Sequence, residues 1–493
     1  MSFFTEYSST HQFDRATDLH RHPLTGINVL IVGAGPVGLF TALECWRKGH
    51  TVVGVLERSP TPSAAGDSFT VLGAYIERSW PALFRSFEQD SVDLLISYHK
   101  ITGEKVAGPE QFHLKEIANG RLDDDGTPGP SRLYRINRPL LAASMLAQAQ
   151  ELGIQVSFGK RVVDYFEEEE KAGVIFEDGS RQSADVVVSA DGVGTKSHKL
   201  ISGHEVRAMN SAHSIFRAAY PIEHVTADPE LAERFPLLDN GYGHFEQWRG
   251  ENLVIGVARF PKEMQWYITH KDTVGTSKES WHNFVTGEQV ATFLSNFPEI
   301  PDVLKKLVRT APKDSVVDWQ LLWRDPQPTW SSPLGRVVQA GDSAHTFVPS
   351  SGSGVNQGLE DAISIATCLQ LGGGTIKTGM WAKVHNKLRF ERVSCCQLMG
   401  FINQSHFLKP EWGTNVLADP KNYRPEYGWW VLRHNPERYA YVNYGNAFRN
   451  LVDGTPFQNT NIPPGYVYKP WTLKDIYDTL AEGKKLKFDG DWS

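Results

Sequence analysis

Six residues, Gly33-Ala34-Gly35-Pro36-Val37-Gly38, carry three glycines at the G-x-G-x-x-G spacing that binds the phosphates of a dinucleotide. The first glycine allows a tight turn, the second lets backbone approach a pyrophosphate, and the third lets a helix pack closely on a strand. The amino end of that helix then faces the phosphates with unpaired N–H groups. Roughly twenty residues on, Glu57 ends the next apolar run, where a carboxylate holds ribose hydroxyls and repels a 2′-phosphate. Arg58 adjoins it and is grouped with it as a cofactor contact. The order of strand, glycines, helix, strand and acid predicts a bound adenine dinucleotide. A glycine turn with a purely structural role is the alternative.

A second cluster occupies residues 335–369, GRVVQAGDSAHTFVPSSGSGVNQGLEDAISIATCL. Val337 and Val338 lead into Gly341 and Asp342, Pro349 shapes a turn, and Gly352, Ser353 and Gly354 offer backbone amides at the start of a helix. Such a nest suits an electron-rich group at the far end of a long cofactor. The same residues also read as an Asp cap on a buried helix. A third cluster, SADVVVSADG, ends an apolar run in Ala190, Asp191 and Gly192. No second G-x-G-x-x-G is present, since the triplet Gly372, Gly373 and Gly374 follows no strand. His20 and His22 make two metal ligands without a third, so no metal is expected.

These clusters need a parallel sheet whose strands stop side by side. Residues 28–32 and 51–56 read as strands around a helix opened by Pro36, and residues 138–153 (RPLLAASMLAQAQELG) read as a helix ending at a glycine. Residues 205–330 differ, with short alternating runs such as GHFEQWRGENLVIGVARF that predict an inserted antiparallel sheet walling a pocket. The chain has 493 residues, enough for two or three domains. The expected division is a discontinuous nucleotide-binding domain over 27–75, 130–204 and 333–386, a substrate domain over 76–129 and 205–332, and a helix-and-loop extension over 387–493. Acidic residues (57) outnumber basic ones (50), with no Lys/Arg-rich block, which argues against nucleic acid or an anionic membrane as partner. The polar leader lacks a signal-peptide core, no apolar run reaches membrane-spanning length, and the four cysteines form no disulfide framework. A cytoplasmic monomer or homodimer is the expectation.

From residue 28 onward the chain resembles the group A flavoprotein monooxygenases, the class of para-hydroxybenzoate hydroxylase, and is most similar to their fungal specialised-metabolism members. The resemblance implies an α/β fold: a Rossmann-like FAD-binding domain of the GR2 type with an inserted antiparallel substrate sheet. It assigns Gly33, Gly35, Pro36, Val37, Gly38 and Glu57 to the FAD adenosine diphosphate, and Arg138 to a further FAD contact. Asp191, with Gly192, corresponds to the family's DG motif, which links flavin pyrophosphate and nicotinamide binding. Gly341 and Asp342 match the GD motif that contacts the ribityl chain, and Pro349, Gly352, Gly354, Val355 and Asn356 border the isoalloxazine ring. The chain departs from the family after DG, where Thr195 and His198 replace the usual Ser and Arg. Lys196 or Lys199 is the expected substitute for the missing cation.

By the same resemblance FAD stays bound while NADPH or NADH visits, and O2 adds to the reduced flavin as a C4a-hydroperoxide that oxygenates an aromatic small molecule. Phenol hydroxylation and indole-alkaloid epoxidation both fit that chemistry, and the pairing of Asp67 with Arg217 leans toward the indole type, whose epoxide opening needs an acid. Asp67, in AAGDSF, is the candidate general acid or base, and Arg217, in SAHSIFRAAY, is the candidate for stabilising a phenolate or developing alkoxide. A turn-forming Asp and an edge-strand Arg are the alternatives. His244, Trp248, Trp266 and Tyr267 are possible pocket aromatics, none preferred, and His345 is left outside the catalytic set. An oxidase or a flavin halogenase is the competing enzyme class, although the Trp-x-Trp-x-Ile-Pro stretch of halogenases is missing.

Overall fold

The structure is a computed structural model that describes residues 19–62, 68–72, 74–88, 94–111, 133–238, 241–272, 283–373, 379–408, 423–425, 427–484 and 486–492. Five parallel strands form the first sheet in the order β18-β11-β1-β2-β7, where β1 is Asn28–Val32, β2 Thr51–Leu56, β7 Val156–Ser157, β11 Val186–Ser189 and β18 Val337–Gln339. Strands β11 and β18 are buried throughout, as is β1 after its first residue, which explains their unbroken valine and isoleucine runs: both faces are covered. Helices α1 (Pro36–Arg47), α3 (Arg138–Glu151), α6 (Gly354–Leu371) and α7 (Met380–Leu408) close one face. A three-stranded antiparallel sheet of β8 (Val162–Glu167), β9 (Ala172–Phe176) and β10 (Arg181–Ala184) closes the other.

Register brings the three sequence clusters together. Val32 lies beside Ser189, and Ser189 beside Gln339. The residues that follow each strand, Gly33, Ala190 and Ala340, therefore leave the carboxyl edge of the sheet side by side. Ligands of open parallel sheets bind at that edge.

The second sheet has eight strands in the order β16-β17-β12-β15-β14-β13-β4-β5: β16 Phe284–Val285, β17 Val316–Trp323, β12 Met209–Pro221, β15 Glu263–Lys271, β14 Leu253–Arg259, β13 Gly243–Gly250, β4 Leu94–Lys100 and β5 Lys105–Gln111. All pairings are antiparallel except β13 with β4. One face packs Phe216, Ala218, Trp248, Ile255, Trp266 and Ile268 against α4 (Gly287–Leu294) and α5 (Asp302–Arg309). The alternate residues face the first domain, as the two-residue period of a strand requires. A short ribbon, β3 (Ser68–Leu72) with β6 (Leu133–Asn137), joins the two parts.

Two expected boundaries shift. Residues 76–88 were assigned by sequence to the substrate domain, but Ile76, Trp80, Leu83, Phe84 and Phe87 join the core beneath the parallel sheet, the last three on helix α2 (Pro81–Glu88). Helix α7 runs without interruption across residue 387, because its buried face continues from the first core into a C-terminal one formed with Trp430, Tyr466 and Trp492. Helix α8 (Pro436–Asp453) then packs on α6 and α7, and α9 (Leu473–Ala481) follows. No described helix is long and apolar enough to cross a membrane.

Among the described residues, His50, His198 and His385 are buried as neutral rings. His50 bridges Thr25 and the Ala366 carbonyl, His198 sits beside Gln339, and His385 bonds Ser364. Burial lowers them from 6.5 to about 4, about 4 and about 3. Between those values and 6.5 the unfolded chain binds protons that the folded chain refuses. Their contribution is therefore whole above pH 6.5 and is lost as pH falls, at about 1.4 kcal/mol per pH unit for each ring. Thermal midpoints followed from pH 7.5 downward are expected to drop steadily below pH 6.5, and a flat profile to pH 5 would show that the rings accept protons in place.

Candidate active site

A cavity of about 390 Å³ lies between the carboxyl edge of the parallel sheet and the inward face of the eight-stranded sheet. Gly35, Pro36 and Val37 form part of its wall, with Arg138 from the start of α3 and Ala190, Gly192, Ala340 and Asp342 from the strand ends. Pro349, Gly352, Gly354 and Val355 continue the wall into the first turn of α6. The opposite wall is Ile215 and Arg217 on β12, Phe245 and Gln247 on β13, Tyr267 and Thr269 on β15, and Leu321 on β17.

Glycine is required at the floor by close approach. Gly33 has φ +103°, and a Cβ there would strike the Ala190 carbonyl oxygen; a Cβ on Gly38 would strike the Gly33 carbonyl oxygen. The first turn of α1 can therefore lie directly on the strand-end turns. Gly35 has an ordinary φ of −73° and nothing within 4 Å of a built Cβ. Its bare backbone borders the cavity, and the first N–H groups of α1 have no partner within the helix. The floor thus fits a phosphate-bearing cofactor.

Other predicted residues stand behind this wall. Glu57 accepts the Ala34 N–H at 2.9 Å and the Ser59 N–H at 2.8 Å, so its carboxylate braces the glycine turn. Arg58 is exposed and does not line the cavity. Asp191 accepts hydroxyls from Tyr165 (2.8 Å), Ser189 (2.7 Å) and Ser343 (3.2 Å), tying one strand end to the next. Gly341 packs on Val37, and its N–H reaches the Asp361 carboxylate at 3.0 Å. Asn356 does not line the cavity either: its amide accepts from Leu72 N (2.9 Å) and donates to the Thr70 carbonyl (3.0 Å), pinning β3 to α6. Asp67 lies outside the described residues.

The departures after the DG motif turn inward. Thr195 shares hydroxyl bonds with Ser189 and Ser197, and His198 is buried beside Gln339. Lys196 and Lys199 are exposed, the latter 3.4 Å from Asp164. Of the four candidate aromatics, only Tyr267 borders the cavity. Trp266 donates to Tyr220, Trp248 stacks on His99, and His244 bonds Ser97. His345 is buried and bound to Asp361 at 2.6 Å.

Several lining residues were not singled out by sequence. Arg135 on β6, Gln247, Gln404, Phe347, Phe407 and Tyr427 all border the cavity. Burial pushes the Tyr427 phenol well above its ordinary range, so it remains a proton donor. Neither Arg135 nor Tyr427 had a sequence signal, since tertiary packing alone brings them there.

The family described as an FAD binding domain matches residues 26–372. An FAD-dependent monooxygenase of Cryptosporiopsis sp., dmxR9, is 41% identical over 479 residues, covering 96% of this chain and 91% of its own length. A second, mdpD of Emericella nidulans, is 39% identical over 489 residues, covering 96% and 92%. Among solved structures, CtdE in complex with FAD and a substrate superposes with a TM-score of 0.77 at 25% identity, covering 87% of this chain and 100% of its own. FqzB gives 0.77 at 26%, covering 90% and 98%. With its glycine floor, its parallel sheet and this kinship over nearly its whole length, the chain belongs to the FAD-dependent monooxygenases.

Proposed function

We propose that the protein uses NADPH or NADH and O2 to oxygenate an electron-rich aromatic small molecule, phenolic in preference to a basic indole alkaloid, in fungal specialised metabolism and in the cytosol. The observation that carries this reading is a single cavity joining the backbone floor of the nucleotide fold to the Arg217–Tyr267 face of the second sheet. Among the described lining residues, Arg138 and Asp342 are taken up by the cofactor, which leaves two guanidinium groups, Arg135 and Arg217, and no carboxylate for the substrate. That balance favours an acidic phenol over an ammonium.

Bound FAD supplies the two-electron redox chemistry that lets O2 deliver one oxygen atom. The balance is substrate–H plus O2, NAD(P)H and H+ giving substrate–OH, NAD(P)+ and water. The amides at the start of α1 and Arg138 would hold the phosphates of FAD, Asp342 would contact its sugar-like chain, and the turn from Pro349 to Val355 would border its ring. Arg217 holds the substrate oxygen and stabilises negative charge there, while Phe245, Phe347, Phe407, Val254 and Leu321 exclude water. The general acid or base role of Asp67 rests on sequence alone.

The test is purified protein with NADPH or NADH in air and a panel of phenols and indoles. The expected result is a substrate that accelerates nicotinamide oxidation and gains one oxygen atom in mass; peroxide release without NAD(P)H would instead indicate an oxidase. Arg217→Met is expected to lower kcat/KM about a hundredfold while FAD content is retained, and undiminished turnover would remove Arg217 from the reaction.

A further inference from the structure

Among the bonds that fasten the C-terminal region beyond the matched 26–372 segment to the nucleotide fold are those of one fully buried side chain. Arg392, on α7, is fully buried, and all five of its N–H groups have acceptors. Nε and Nη2 bind the Glu360 carboxylate on α6 at 2.8 and 2.9 Å. The other three donors reach carbonyls of the C-terminal segment: Trp430 at 2.7 Å, Asn461 at 3.0 Å and Val431 at 3.1 Å. Trp430 and Val431 belong to the one-turn helix Trp429–Leu432, whose last carbonyls have no partner within the helix.

Two residues before that helix, Tyr427 enters the cavity wall. Its hydroxyl occupies the place where a side chain on Gly352 would project, so the phenol is laid over the turn preceding α6. It lines the cavity together with Tyr267 and Arg135. We propose that Arg392 is a positioning residue: by gripping the carbonyls of Trp430, Val431 and Asn461 it sets Tyr427 against the Gly352 turn and fixes the wall of the FAD and substrate cavity there. Lysine cannot replace it, because three donors at one point keep the charge on Glu360 but not the fork of bonds to three carbonyls.

The inference rests on the reading of this cavity as the FAD site. FAD titration of the apoprotein, followed by flavin fluorescence and by the shape of the flavin absorbance bands, is made on wild type, Arg392→Lys, Tyr427→Ala and the double variant. Arg392→Lys and Tyr427→Ala are each expected to weaken FAD about tenfold and to shift the bands alike, with the double variant no weaker than Tyr427→Ala alone. Wild-type affinity and bands in Arg392→Lys would overturn the proposal, as would an unchanged tenfold effect of Arg392→Lys in the Tyr427→Ala background, since a merely structural role is additive. If Arg392→Lys does not accumulate folded, Glu360→Gln with Arg392→Gln removes both charges together and carries the same comparison. Wild-type protein that takes up no FAD would sink the reading of the cavity itself, whereas wild-type uptake with unaffected variants sinks only this inference.

Discussion

Gly33→Ala is expected to abolish useful FAD binding, raising Kd at least about a hundredfold, and to lower the thermal midpoint of the apoprotein as well. The added methyl would have to displace the Ala190 carbonyl at the end of β11, and alanine is strained at φ +103°. Gly35→Ala separates the two effects. Its φ of −73° suits alanine and nothing crowds the methyl, so the apoprotein midpoint is expected to stay near wild type. The methyl nevertheless projects beside the cavity floor, and FAD affinity is expected to fall tenfold or more, about 1.4 kcal/mol. Isothermal titration with FAD and a thermal scan on each variant decide the matter. A Gly35→Ala protein that binds FAD as tightly as wild type would mean that the phosphates lie elsewhere.

Arg389→Met is expected to cost about 3–5 kcal/mol of stability near pH 8, the effect of stranding buried charge. The guanidinium bonds Asp361 at 3.0 Å, the Gln357 carbonyl at 3.0 Å and Glu360 more closely still, all out of contact with water. Burial alone would raise both carboxyls. Arg392 and Arg389 instead hold Glu360 well below its ordinary range, and His345 with Arg389 brings Asp361 to about 2. Without Arg389 the pair must hold a proton, so its folded-state pKa rises above the unfolded value. Stability gained that way is present at acid pH and lost as pH rises through the new value. The deficit relative to wild type is therefore expected to be largest at pH 8 and to shrink toward pH 5 in denaturant titrations, and a deficit independent of pH would show that lost packing dominates.

What the sequence discloses follows from how tightly backbone restricts residue type. The runs in β1, β11 and β18 are legible because strands buried on both faces lack alternation, and the turns after them because glycine alone permits their close approaches. The helix from Arg138 is legible through its proline at the start and the glycine beyond its end. Asn356 is harder: an amide beside a glycine nest looks like a ligand contact, yet it serves β3 across the fold. Which aromatics of the second sheet face the cavity depends on the pairing of β12 with β15, where Tyr267 stands opposite Arg217 and Trp266 points to the other side. Residues 76–88 carry an apolar helical pattern that says nothing about which sheet it will cover. Arg135 and Tyr427 come from segments that only the tertiary fold brings together.

The register that sets β11 between β1 and β18 also governs how the chain can be made. Strand β1 ends at residue 32, its neighbour β11 begins at 186, and β18 begins at 337. During synthesis the amino-terminal half-sheet must wait, one edge open, until more than 300 residues later the last strand leaves the ribosome. Pairings of such long range are slow to form and leave sheet edges exposed meanwhile. Assembly of this enzyme is thus expected to be post-translational and dependent on chaperones, with folding yield limited by the delay before β18 arrives.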